Sequence, residues 1–391
     1  MLNTALSPWP SFTQEEADAV SRVLLSNKVN YWTGSECREF EKEFAAFAGT
    51  QYAVAVANGT LALDVALKAM GIGAGDDVIV TSRTFLASAS CIVTADANPV
   101  FADVDLNSQN ISAETIKAAL TPNTKAVIVV HLAGMPAEMD AIMDLAKEHD
   151  LWVIEDCAQA HGAKYKGKSV GSIGHVGAWS FCQDKIMTTG GEGGMVTTND
   201  KELWRKMWSY KDHGKSYDAV YHREHAPGFR WLHESFGTNW RMMEMQAVIG
   251  RIQLKRMPEW TARRQAHAAK LAESLGKFAS IRLIEVADYI EHAQYKFYAF
   301  VKPEHLKDGW TRDRIVNELN ARKVPCYQGS CSEVYLEKAF DNTPWRPKER
   351  LKNAVELGDT SLMFLVHPTL TDDEIAFCKE HIEAVLAEAT A

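Results

Sequence analysis

The sequence predicts an α/β protein, a doubly wound domain with a mostly parallel sheet followed by a smaller α+β domain. Strand-type and helix-type segments alternate from residue 52 to residue 154. Most of the strand segments are continuous apolar runs, the pattern of strands covered on both faces. Beyond about residue 250 a charged helical stretch and mixed segments replace the alternation.

Ser11-Phe-Thr-Gln-Glu-Glu16 places a hydroxyl cap and first-turn acids before Ala19, Val20, Val23 and Leu24 at helical spacing, which starts a helix. Glu36 to Phe47 repeats apolar residues every three or four positions. Tyr52–Val56 is a strand that stops at Asn58-Gly59-Thr60, and Leu61 to Met70 reads as a helix. Strands come next at Asp77–Val80, Val100–Val104, Lys125–Val130 and Leu151–Ile154, with a helix from Met139 to His149 before the last. Gly177–Phe181 and Met195–Thr198 flank the glycine-rich bend Gly190–Gly194, where the sheet gains an antiparallel member. Residues 211 to 238 show no sustained period and form either a functional excursion or a solvated loop.

Met242 to Leu254 and Arg256 to Leu275 read as helices, and the domain boundary is expected near 250. The large domain then covers 1–250, with an N-terminal helical segment over 1–30, and the small domain covers 251–391. The small domain holds the strand Tyr295–Val301 and helices at Thr311–Arg322 and Asp372–Ala387.

With 42 Lys+Arg against 51 Asp+Glu the net charge is −9, and no extended basic block offers a footprint for a nucleic-acid backbone. The 7 cysteines form no CxxC pair and no zinc-ligand spacing, so they read as reduced thiols and no metal is expected. The histidines at 213, 222, 225 and 233 lack acids at ligand spacing and read as loop residues. No leader pattern opens the chain and no stretch approaches 18 apolar residues, so the expectation is a cytoplasmic protein without a membrane partner.

Three constellations could carry chemistry. Leu151-Trp-Val-Ile-Glu-Asp156 ends a strand in two acids, where open α/β sheets place ligands, although one acid could simply cap the next helix. Ser180-Phe-Cys-Gln-Asp-Lys185 offers a hydroxyl and an amine able to form a Schiff base, although a lone lysine is usually a surface charge. Asn58-Gly59-Thr60 suits a phosphate at a helix N-terminus, or is a routine turn. Together these are the parts needed to hold pyridoxal phosphate.

Asn58-Gly-Thr-Leu-Ala-Leu63, Glu155-Asp-Cys-Ala-Gln-Ala-His-Gly-Ala163, Ser180-Phe181 with Lys185, Gly191-Glu-Gly-Gly194 and Gly237-Thr-Asn-Trp-Arg-Met242 closely resemble, in order, the motifs of the DegT/DnrJ/EryC1/StrS family of pyridoxal-phosphate sugar aminotransferases. The resemblance runs from about Trp32 to the C-terminus. It implies the fold type I, aspartate aminotransferase-like architecture, with a mostly parallel seven-stranded sheet flanked by helices and a smaller C-terminal domain. It implies that Lys185 links covalently to pyridoxal 5′-phosphate and later shuttles a proton. By the same resemblance Asp156 pairs with the pyridinium nitrogen and Gln159 lies by the phenolic oxygen. Gly59, Thr60 and Ser180 hold the phosphate, Phe85 lies over the ring, and Asn239 reaches the phosphate of the neighbouring subunit. A homodimer with shared sites is implied by the last point.

The family habit further implies L-glutamate as donor, pyridoxamine phosphate as the intermediate form, and a nucleotide-linked keto-6-deoxy sugar as acceptor, aminated at C4 in preference to C3. A keto-inositol acceptor and a non-catalytic regulator on the same fold are the alternatives. Some relatives carry histidine in place of the lysine and act as dehydratases, so Lys185 favours amino transfer. The sequence departs from many relatives at Cys182-Gln-Asp184 and at Gly329-Ser-Cys-Ser-Glu333, where some have a histidine near the substrate. A Rossmann dehydrogenase is disfavoured, because no GxGxxG comes after the early strands.

Overall fold

The computed structural model describes residues 6–391. A seven-stranded sheet is built from β1 (Tyr52–Val56), β2 (Asp77–Thr81), β3 (Asn98–Ala102), β4 (Thr124–Val130), β5 (Trp152–Asp156), β6 (Val176–Ser180) and β7 (Gly194–Thr198). Its spatial order is β1-β7-β6-β5-β4-β2-β3. Only β7 runs antiparallel to its neighbours, pairing with β1 on one side and β6 on the other.

The uninterrupted apolar runs have a direct structural reason. Successive side chains of a strand point to opposite faces, and here both faces are covered. Val78, Val80, Ala126 and Ile128 pack into one core with the helix Gly59–Met70, while Ile79, Val127 and Val129 enter a second core with Ile142 and Leu145. The helices Ala87–Thr94 and Ala113–Ala119 are not among those expected. The first carries β-branched and hydroxylic residues, and its N-cap position is Leu86, which offers no cap. Lys201–Tyr210 is a further unexpected helix, although Asp200 caps it by accepting from the Glu202 and Leu203 amides.

A single helix, Glu244–Leu275, replaces the two expected there and continues through Pro258. Its first half binds the N-terminal helices. Arg251 pairs with Glu36 and Glu43, and Arg256 pairs with Glu15 and Glu16. Its second half packs through Leu271 and Leu275 against a four-stranded antiparallel sheet ordered Ile281–Leu283, Phe297–Val301, Ser361–Phe364 and Cys326–Tyr327, under the C-terminal helix Asp372–Ala389. Position 250 thus lies inside a helix shared by both halves. All seven cysteines are free thiols, and Cys182 and Cys331 are the two that are not buried. Among the described residues, no helix is long and apolar enough to cross a membrane.

Candidate active site

The carboxyl ends of β1, β2, β4, β5 and β6 open onto one cavity of about 580 Å³, where ligands bind in open α/β sheets. Gly59, Thr60, Phe85, Asp156, Gln159, Ser180 and Lys185 all line it, brought together from segments up to 126 residues apart.

At one end β1 turns directly into the helix Gly59–Met70. Asn58 caps it, its side chain accepting from the Leu61 amide at 3.0 Å. The amides of Gly59 and Thr60 head the helix without intrahelical acceptors, where the helix dipole favours an anion. Ser180, the last residue of β6, stands close beside Gly59.

At the other end is Asp156, only 6% exposed. Its carboxylate accepts from Ser88 Oγ at 2.8 Å and from the Ala158 amide at 3.1 Å. The residues after it form a turn, so capping a helix is not its task. Among the described residues no cation pairs with Asp156, an unusual state for so buried a carboxylate. Its neighbour Glu155 points the other way and is fully used. It accepts from the Gly171, Ile173 and Gly174 amides and lies 2.9 Å from His131 Nε2. Burial pushes the Glu155 carboxyl up, but these hydrogen bonds and the His131 charge outweigh it and hold the carboxyl low. Cys157 completes a buried cluster of ligating types with this pair, but the donors to Glu155 already saturate its oxygens.

Gln159 is fixed by its Oε1, which accepts from the Ala133 amide at 2.8 Å. Phe85 is 69% exposed at the cavity rim, an aromatic face without a cover. Lys185 sits in the turn after β6, its amide donating to the Cys182 carbonyl and its own carbonyl accepting from the Trp9 indole at 2.9 Å. Lys185 Nζ lies 5.4 Å from the centre of the Tyr295 ring.

Asn239 stands apart. It is exposed, lies outside this cavity and is bridged to Asp212 by backbone pairing. The histidines at 213, 222 and 233 are exposed. Ser88, Thr84, Trp9 and Tyr295 join the site or its support without a signal in the sequence, whereas Glu192 comes from the Gly191–Gly194 motif; the Ser88–Asp156 bond spans 68 residues. His161, from the same motif as Gln159, is fully buried against Phe44, Trp179 and Phe181, and neither ring nitrogen has a partner among the described residues. Burial and the nearby Lys185 charge push it down to about 3, so it is a neutral imidazole.

These parts fit pyridoxal phosphate. The unpaired buried carboxylate of Asp156 matches a pyridinium N–H, and the glycine-tight cradle between the Gly59–Met70 helix and Ser180 matches a phosphate. Lys185 supplies the amine between them.

Comparison with known proteins agrees. A model of the DegT/DnrJ/EryC1/StrS aminotransferase family matches residues 10–383. The chain is similar to an aminotransferase from Psychrobacter cryohalolentis of known crystal structure, with 65% identity, a TM-score of 0.96, and coverage of 98% of this chain and 99% of that one. It is 43% identical to the UDP-N-acetyl-3-dehydro-alpha-D-glucosamine 3-aminotransferase of Acidithiobacillus ferrooxidans over 91% of this chain and 90% of the relative. It is 41% identical to the GDP-perosamine synthase of Escherichia coli O157:H7 over 95% of this chain and 96% of the relative.

Proposed function

This chain belongs to the DegT/DnrJ/EryC1/StrS family of pyridoxal-phosphate aminotransferases, and on that footing we propose that it moves the amino group of L-glutamate to the ketone of a nucleotide-linked keto-6-deoxy sugar, at C4 ahead of C3. The nucleotide-sugar names of its relatives support a nucleotide-linked sugar as acceptor. The observation that carries the reading is the placement of Lys185, Asp156 and the Gly59–Ser180 cradle around a single cavity.

Bound there, pyridoxal phosphate supplies the electron sink that lets a proton leave the donor's α-carbon. Asp156, held by Ser88, would keep the ring nitrogen protonated. Gln159, oriented by the Ala133 amide, would lie by the phenolic oxygen, and Phe85 would cover the ring. Gly59, Thr60 and Ser180 bind the phosphate. Lys185 would hold the group through its aldehyde and, once free, its amine would carry the proton.

Asn239 belongs, in this reading, to the site of a second copy. Its exposure outside its own cavity supports that, as do Phe229, Trp231 and Phe236, which are 78%, 81% and 99% exposed in the same segment and call for a covering surface. The test is a panel of nucleotide sugars bearing a ketone at C4 or at C3, assayed with L-glutamate. Amination of a C4 ketone is the expected outcome; no amination of any member rejects the acceptor class.

A further inference from the structure

Tyr295 and Asp184 form a second arrangement around the site amine. Tyr295 is 6% exposed and precedes the strand Phe297–Val301. Its amide donates to the Ala133 carbonyl at 2.9 Å, so its backbone is tied to the same residue whose amide orients Gln159. Its hydroxyl donates to Asp184 Oδ2 at 2.6 Å, and Asp184 is the residue before Lys185 and lines the cavity. The ring, fixed at both ends, lies 5.4 Å from Lys185 Nζ, within the range at which an aromatic face attracts an ammonium. Among the described residues none accepts a hydrogen bond from that nitrogen, so the ring face is its direct contact and the Asp184 carboxylate acts on it through charge.

Two further cations lie close. Lys296 Nζ is 4.8 Å from the same ring, and Arg264 donates to the Tyr295 carbonyl at 3.3 Å. Burial pushes the Lys296 ammonium down to about 8 and the Arg264 guanidinium down to about 9. In this crowd of positive charge Asp184 is, among the described residues, the acid that the Tyr295 hydroxyl binds. Burial raises its carboxyl, but the Lys185 charge and the Tyr295 hydroxyl bring it below its ordinary value, so it stays ionised.

We propose that Tyr295, anchored by Asp184, is a positioning residue that receives the amine of Lys185 on its release from the cofactor and holds it, protonated, between the two carbons it serves. The inference rests on the role given to Lys185 above. As a free amine, Nζ takes the proton of the donor's α-C–H while the bonding pair stays with carbon. The same proton then passes from Nζ to C4′, and the amine is regenerated. One N–H bond forms and breaks, and no oxidant or reductant takes part. The ring face and the carboxylate stabilise the interval in which the proton is on nitrogen.

The test uses the cofactor-loaded protein and tracks the cofactor's visible absorption through a single turnover with L-glutamate and with α-deuterated L-glutamate. Tyr295→Leu removes the face and is expected to slow the turnover by about tenfold and to raise the deuterium isotope effect, while cofactor retention and half-saturation by glutamate change by less than about twofold. Tyr295→Phe keeps the face and loses the anchor, and is slowed by about threefold. Asp184→Asn keeps the ring in place and is expected to raise the isotope effect as well, which keeps the test open should the leucine variant fail to fold. A Tyr295→Leu protein with the parent's rate and isotope effect overturns the proposal. So does a slowing that comes with an unchanged isotope effect and weakened cofactor retention, the mark of a structural role. Near-normal turnover by Lys185→Ala would instead overturn the role of the lysine itself.

Discussion

Gly59 lies so close to Ser180 that a Cβ added to the glycine would stand 2.5 Å from the serine Cβ. The contact sets the serine hydroxyl beside the first amides of the Gly59–Met70 helix. Gly59→Ala should therefore displace Ser180 and cost at least one hydrogen bond to a charged acceptor, about 1.5–3 kcal/mol. The dissociation constant for pyridoxal phosphate should rise roughly 10- to 150-fold in an absorbance titration.

Lys185→Ala should leave the fold intact, because the side chain is only half buried and contributes no core packing. Transamination should fall by several orders of magnitude. Circular dichroism alongside turnover checks both halves, and near-normal turnover would remove Lys185 from its role.

Asp156→Asn should retain some cofactor yet lose most activity, since a neutral amide cannot stabilise the pyridinium charge. Ser88→Ala, which removes the 2.8 Å bond that fixes the carboxylate, should act in the same direction and more weakly, by about tenfold. Turnover of the two variants at saturating cofactor gives the ranking; equal rates for Asp156→Asn and the parent would leave the carboxylate a turn-forming group.

Mixing Asn239→Ala subunits with Lys185→Ala subunits tests the second copy. If the asparagine acts across the interface, a mixed dimer has one site with both lesions and one with neither, and up to half of the activity per dimer should return. Subunit exchange proven by mass measurement without recovery would confine Asn239 to its own chain.

His161, His292 and His367 are buried, and burial pushes each down to about 3. In the unfolded chain each titrates near 6.5. Between those values the unfolded state binds more protons, so stability is complete above about 6.5 and falls as the pH drops towards 3. Each imidazole contributes a slope of up to about 1.4 kcal/mol per pH unit. Denaturant unfolding over that range should show the slope, and His161→Leu should reduce it by about one proton.

The core of the large sheet was legible because both of its faces are buried. Val78-Ile79-Val80 and Ala126–Val130 read as strands without any alternation to interpret. The site was legible where one short segment carries several parts, as at Asn58–Thr60 and Glu155–Gln159. It was illegible where a part comes from a distant segment. Ser88, Trp9 and Tyr295 are ordinary residues until the fold sets them against Asp156, Lys185 and Asp184. The long helix misled for a local reason. The charged run from Arg256 reads as a separate helix in a lone sequence, but here Gln253 and Arg256 both bind Glu16 across the expected break at Lys255, and Lys270 and Ser274 bind the C-terminal helix further on, so the helix continues unbroken.

That helix also sets an order of assembly. The carboxylates of Glu36 and Glu43 find their guanidinium on Arg251, about 210 residues later, and Glu16, 2% exposed, finds Arg256 240 residues later. The edge strand Tyr52–Val56 waits in the same way for Gly194–Thr198. A chain growing from its N-terminus has therefore made its first two helices and first strand long before their partners exist. The strand remains open to solvent, and to other chains, until Gly194–Thr198 has emerged, and the helices until Arg251 and Arg256 have. Closing such long loops makes folding slow, and truncation before Arg256 leaves the buried Glu16 carboxylate without its cation.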